Sequence, residues 1–443
     1  MSENLKEERL GKLFLKYIIP SVGGTLSIGL LVFIDTLFIG RGIGTIGLAA
    51  LSISIPFFSI ASIGIGLGIG GATIASIDDA KGIKNQKNKI FTSILVLGVI
   101  IGLLITLFSS IFLEQLASGL GGRGETLPLV ISYLKIITKF ASFYIVPHLI
   151  NAFIRNDGNP NLSMISLAIC GTTNITLDYV FIFIFGWGME GAALATGLAQ
   201  LAYFLTLFFH FFSRKNTLKI VRTNEYLKII KRGIKTGVPS FLSEISIGMI
   251  IFVFNYFVFK YAGNTGVSAY SILLNINLML YLTFSGIAQG TQPIISINYG
   301  GKLYQRVKDC FTLAMKINGI LGVIFFLTVY FLRKPLILLF DSTNPEVLEI
   351  GLKGVVPFFL GVLFLGLNLQ LVTFFQSMEF SKISTRINFL RGFFLIILFL
   401  MILPRTFGIY GVWLTNTMAE LVTLILASVY YKYKFKKIFY KKI

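Results

Sequence analysis

Four polar residues stand inside apolar stretches of this chain with types and spacing suited to ion chemistry: Asp35, Asn174, Asp178 and Thr196. Asn174 and Asp178 are four positions apart, so a helix places them on one face. A carboxylate at the middle of a membrane-spanning helix costs roughly 2.5–3.5 kcal/mol on insertion scales, and such residues usually face a cavity and act there. Two carboxylates held together in a dry setting repel each other unless a proton or a cation neutralises one of them. A donor set made only of oxygens also suits a hard cation. The chemistry expected of this set is reversible capture of H⁺ or Na⁺.

Long apolar helices must position these groups. Of the 443 residues, 55% are hydrophobic and 13% charged, against about 25% charged in soluble domains. Mean hydropathy is +0.82. The class expected is an all-α integral membrane protein. Segments of about 20 apolar residues recur twelve times, near 13–40, 47–77, 90–113, 128–153, 162–186, 189–212, 234–260, 266–297, 310–332, 354–378, 388–404 and 409–431. Lys and Arg crowd the loops at 81–89, 214–235 and 302–308 and the tail YKYKFKKIFYKKI, whereas Arg41, Arg123, Lys260 and Arg405 mark the other side mostly singly. The positive-inside rule then predicts cytoplasmic termini in a cell-membrane protein. The same rule accounts for the net charge of +20, so nucleic acid is not an expected partner. The polar start MSENLKEERLGK leads into a run too long for a signal peptide, with no small-residue cleavage site. In this orientation, at 1.5 Å per residue, Asp35, Asp178 and Thr196 all fall in the outer half of the membrane.

The two halves of the chain resemble each other. Pro20-Ser21 recurs as Pro239-Ser240, Ser76-Ile77 as Ser296-Ile297, Gly44 as Gly263 and Gly191 as Gly411, always 219 or 220 residues apart. The organisation expected is an N-terminal six-helix lobe over 1–212, a basic cytoplasmic linker over 213–233, and a C-terminal six-helix lobe over 234–443 with a basic tail. Six spans per half make the repeats parallel, and transporters bind substrate near such a repeat interface. The second half does not copy the polar set: Phe254 stands for Asp35 and Asn416 for Thr196. Its own intramembrane acids, Glu244 and Glu420, are expected to meet a cationic substrate or pair with Lys316. Glu244, Gln292 and Asn368 are the candidates for a substrate cavity. Lys135 and Lys139, four apart, are expected to reach the carboxylates or line a cavity.

Other signals point away from catalysis. Gly66, Gly68 and Gly71 match the dinucleotide pattern GxGxxG, but they lie inside a spanning run where small residues let helices pack closely. Cys170 and Cys310 form no CxxC pair, and His148 and His210 are the only histidines. No metal site, cofactor or catalytic constellation is expected.

Pro20 followed by IDTLFIG with Asp35, RNDGNPNLSMI from Arg155, Asn174-Ile175-Thr176-Leu177-Asp178 with FIFIFGWGMEGAALAT, and GIAQGTQPIISINYG from Gly286 resemble the multidrug and toxic compound extrusion (MATE) family over nearly the whole chain. The resemblance is strongest to the branch related to DNA-damage-inducible transporters. It implies a monomeric, cation-coupled antiporter exporting small organic cations by alternating access, its ion site in the N-terminal lobe. Asp35, Asn174, Asp178 and Thr196 match that site, and Pro20 matches the proline at which the first helix is thought to bend. Another branch uses acids in the seventh and tenth helices. Here Glu244 comes early in the seventh, and the tenth offers Asn368 and Gln370. Two rivals differ in what they require. A lipid or lipid-linked-oligosaccharide flippase of the same broad fold group calls for a basic cavity, and a membrane-embedded enzyme calls for a catalytic His/Asp/Glu cluster.

Overall fold

The computed structural model describes residues 6–340 and 345–439, so the first residues of the polar start and the end of the basic tail lie outside the described residues. The described residues are helical, with no strand among them. The spans are α1 Leu10–Gly42, α2 Thr45–Ala80, α3 Gln86–Ile111, α4 Thr126–Asn156, α5 Pro160–Ile184 and α6 Gly188–Phe212. Tyr226–Gly300 is one hydrogen-bonded run of 75 residues. At 1.5 Å per residue it would extend about 110 Å, against a hydrocarbon core of about 30 Å. Gly263, at φ 59° and ψ −158°, breaks it into α7 (226–262) and α8 (264–300). Tyr304–Phe331 is α9, and Pro345–Phe359 with Val362–Ser377, bent by 43°, is α10. Gly408, at φ 55°, divides the last run into α11 (381–407) and α12 (409–439). Twelve spans follow among the described residues.

The repeat is visible in the backbone. Gly44 and Gly263 both turn with positive φ, as do Gly188 and Gly408. Only glycine takes this conformation without steric cost, which is why these glycines recur at the repeat offset. A π-helical segment ends α5, at Tyr179–Ile184, and another interrupts α11, at Leu390–Phe394.

Two compact units divide the chain, Met1–Phe241 and Leu242–Ile443. In the first, the glycines of α2 serve helix contact. A Cβ on Gly64 would lie 2.2 Å from the Ile145 carbonyl oxygen, and one on Gly68 2.8 Å from Leu149 Cα, both on α4. On another face, a Cβ on Gly70 would lie 2.3 Å from the Gly233 carbonyl oxygen, and one on Gly237 2.1 Å from that of Gly66. Residues four apart share a helix face, so Gly64/Gly68 and Gly66/Gly70 form two seams. The GxGxxG match is thus a packing device. Arg232 reinforces the second seam, donating to Asp78 at 2.5 and 3.0 Å. For that reason α7 begins at Tyr226 rather than near 234: Arg232, Gly233 and Gly237 are already helical where they meet α2.

The RNDGNP stretch forms the turn between α4 and α5. Gly158 supplies a positive φ, and Pro160 opens α5 in its first turn, where its missing N–H costs nothing. The fully buried Asp157 accepts from Lys87 Nζ at 2.5 Å, His210 Nε2 at 2.9 Å, and the Thr217 N–H at 2.9 Å. His210 is therefore a structural partner. Burial alone would raise the Asp157 carboxyl above its ordinary value, but the hydrogen bonds from His210, Lys87 and Thr217 outweigh it and hold the carboxyl below. Removing one partner of a buried pair costs about 3–5 kcal/mol, so Asp157→Asn is expected to lower the melting temperature of the solubilised protein by several degrees. Because the folded value is depressed, this stability is present above the unfolded carboxylate value of about 3.9 and is lost as pH falls through the folded one. The gap between wild type and variant should therefore be full at pH 7 and close under strong acid; a gap that persists there refutes the charge account.

Candidate functional site

The first unit brings the four predicted residues together. Close approach of α1 and α5 makes this possible: a Cβ on Gly23 or Gly24 would meet Met164 and Leu167 at 2.9 and 2.8 Å. Asp35 on α1 is buried, Asn174 and Asp178 on α5 are fully buried, and Thr196 on α6 is buried beside them. Asn174 Nδ2 donates to Thr196 Oγ1 at 3.3 Å, and Thr196 Oγ1 donates to the Ala192 carbonyl at 2.8 Å. The Asp35 and Asp178 carboxyls are close enough to interact directly, and Asn174 borders Asp178. The π-helical turn begins at the residue after Asp178.

The cluster has a fifth member that the sequence did not single out. Tyr133 on α4 is fully buried, neighbours Thr196 and lies within electrostatic reach of both carboxylates. One tyrosine among 18, without a spacing partner, carried no signal; only the seating of α4 against α6 reveals it.

Buried oxygens here lack partners. Asp35 Oδ1, both Asp178 oxygens, Asn174 Oδ1 and the Tyr133 hydroxyl are buried without a hydrogen bond. An unpaired buried polar atom costs roughly 1–3 kcal/mol, more when charged. Five such oxygens in one place are the donor set that a proton shared between carboxylates, or a small hard cation, would satisfy.

Other predicted residues sit differently. Pro20 is buried within α1, and the helix continues through it; at 1.5 Å per residue it lies about 22 Å along α1 from Asp35. Lys135 and Lys139 are exposed and form no ion pair among the described residues, contrary to the expectation that they reach the carboxylates. Tyr133 and Ile137 on the same helix point inward, and a position two residues away on a 3.6-residue helix falls on the opposite face.

In the second unit, Glu420 pairs with Arg391 at 2.8 Å, while Lys316 on α9 is exposed; the Lys316 pairing is thus corrected. Asn368 donates to the Glu420 carboxylate at 2.7 Å. Gln292 is fully buried and donates to Ser296 Oγ at 3.1 Å. Of the three cavity candidates only Glu244 is half-exposed. Phe254, opposite Asp35 in the repeat, is buried and stacks on Tyr270 with centroids 5.4 Å apart. Among the described residues no group of three or more His, Cys, Asp or Glu side chains could hold a metal ion.

Comparison with known proteins matches this architecture. The MatE family profile aligns to residues 20–180 and again to 239–402, its two copies opening at the prolines that mark the repeat. The multidrug export protein MepA of Staphylococcus aureus (strain MSSA476) is 28% identical over 419 residues, covering 92% of this chain and 90% of that protein. MepA of Staphylococcus saprophyticus is 27% identical over 422 residues, covering 93% and 91%. Among solved structures, a MATE in complex with MaL6 superposes with a TM-score of 0.92 at 22% identity, covering 99% of each chain. A MOP superfamily transporter from Pyrococcus furiosus superposes with a TM-score of 0.89 at 21% identity, covering 97% of each.

Proposed function

Because this chain belongs to the MatE family, it is a multi-pass membrane transporter and not an enzyme, and we propose that it exports small organic cations in exchange for H⁺ or Na⁺. The multidrug export relatives support the substrate class. The observation that carries the coupling is the cluster of unpartnered buried oxygens on Asp35, Asp178, Asn174 and Tyr133. Two buried carboxylates close enough to interact repel each other unless a proton or a cation neutralises one of them.

In this reading H⁺ or Na⁺ enters from outside and neutralises or bridges the two carboxylates. Removing their repulsion changes how α1 sits on α5, with Pro20 as the point where α1 can bend, since proline leaves a backbone carbonyl without its donor. Affinity for the organic cation falls and it leaves outward; the ion departs inward after the lobes rock. The ion drives this only by binding one state better than the other. An N-terminal coupling site fits the branch related to DNA-damage-inducible transporters. The basic loops support cytoplasmic termini in the cell membrane, with a single chain as the working unit among membrane lipids.

The test is ethidium efflux from vesicles holding the full-length protein, driven in turn by an imposed pH gradient and an imposed Na⁺ gradient. Efflux under one gradient alone identifies the ion and supports antiport. Absence of efflux under both overturns the reading and turns the search toward lipid-linked substrates.

A further inference from the structure

The second unit holds a charged group that the coupling site does not use. Arg391 lies in the π-helical turn of α11 and is only 8% exposed. A guanidinium at this depth is costly. Glu420 on α12 offsets it in an unusual way: both carboxylate oxygens take the Arg391 Nε–H, at 2.8 and 3.2 Å. The ordinary arginine–carboxylate pair is a two-pronged fork that employs a terminal nitrogen as well. Here no described residue accepts from either Nη, so four N–H donors remain unused. Asn368 on α10 fixes the arrangement from behind, donating to Glu420 Oε2 at 2.7 Å and to the Glu420 carbonyl at 2.8 Å.

The neighbours complete a site. Asn388 Nδ2 donates to Ser243 Oγ at 2.8 Å, and a Cβ on Gly392 would lie 2.6 Å from Ser246 Cβ, so α11 rests against this part of α7. Glu244, on the same stretch of α7, is half-buried, with no described residue paired to it. The Tyr281 phenol on α8 lies within electrostatic reach of Glu244, Arg391 and Glu420 together.

We infer that Arg391 is an anion subsite that takes the carboxylate of zwitterionic substrates, its guanidinium oriented by Glu420 and Asn368. The planar fork of the two Nη groups matches a carboxylate in two parallel hydrogen bonds, which lysine cannot do. Glu420 has a second effect. By neutralising Arg391 it keeps the region from repelling organic cations, so one unit admits a cation or a molecule carrying both charges, with Glu244 facing the ammonium. The transport consequence rests on the export reading; the binding consequence does not.

The test uses rhodamine B, which carries a free carboxylate and a cationic ring system, and its ethyl ester, which keeps only the cation. Binding is read by fluorescence anisotropy on the full chain in lipid nanodiscs, with empty nanodiscs subtracted. The variant is the double substitution Arg391→Gln with Glu420→Gln, which removes the pair without leaving a lone charge. The ratio of the rhodamine B Kd to the ester Kd is expected to rise at least about tenfold, since the two charge-assisted hydrogen bonds of the fork are lost together. An unchanged ratio overturns the subsite. A second measurement needs no variant: benzoate should displace rhodamine B from the wild-type protein and leave the ester bound. Failure of benzoate to discriminate also overturns it. Loss of gradient-driven ethidium efflux bears only on the export reading, and equal treatment of acid and ester bears only on Arg391.

Discussion

Asp35→Asn is expected to leave the protein folded, able to bind ethidium in nanodiscs, and unable to pump it. Asparagine has the size of aspartate but neither gains nor loses a proton near neutrality and offers a cation no negative charge. Its amide can also donate to the oxygens of Asp178 that are without a partner, holding α1 and α5 in the arrangement that a neutralised site adopts. Coupling between two sites is typically worth 1–3 kcal/mol, or about 5- to 150-fold in affinity. Removing it should cut gradient-driven efflux by about that factor, while the ethidium Kd rises toward the weak value of the ion-loaded wild type and stops responding to pH or Na⁺. Asp178→Asn should do the same. The double variant should fall no further than either single one, because interacting residues act as a unit and their effects do not add. Pumping by Asp35→Asn at the wild-type rate makes the carboxylate structural and removes the proposed mechanism.

The second large effect concerns stability. Gly237→Val is expected to unfold or strongly destabilise the first unit. The seam between α7 and α2 is backbone against backbone, since a Cβ on Gly237 would stand 2.1 Å from the Gly66 carbonyl oxygen and 2.7 Å from its carbon. No side-chain rotation relieves that contact, so the helices must separate, taking the Arg232–Asp78 pair with them. Overpacking costs about 1–3 kcal/mol even where side chains can shift, and a branched residue against a main chain sits at or beyond the top of that range. Each kcal/mol moves the melting temperature by about 2–4 °C in a unit of this size. Gly248→Ala is the matched control, because a Cβ there meets nothing within 4 Å and alanine favours helix over glycine by about 1 kcal/mol. Thermal unfolding of the two variants should diverge by many degrees; equal melting would mean that the seam is not tight.

The four residues of the buried polar cluster were legible as candidates because membrane insertion penalises carboxylates, and a fixed four-residue spacing reads directly as one helix face. Glu420 was visible for the same reason, but its partner was not. Arg391 and Lys316 are equally plausible cations in one dimension; the choice depends on which side of α11 and α9 faces α12. The expectation that Lys135 and Lys139 reach the carboxylates failed for a related reason. Their mutual spacing showed that they share a face, not which way that face points.

Composition, apolar run length and a 219-residue echo were enough to specify an all-helical membrane protein of twelve spans in two like halves, because these features follow from local hydrophobic transfer and from chain periodicity. The convergence of α1, α4, α5 and α6 on one group of buried oxygens, the entry of Tyr133 into it, and the half-used guanidinium of Arg391 were decided by tertiary structure. Those outcomes depend on helix rotation and on backbone approach at glycine seams, which arise from packing between segments far apart in the chain.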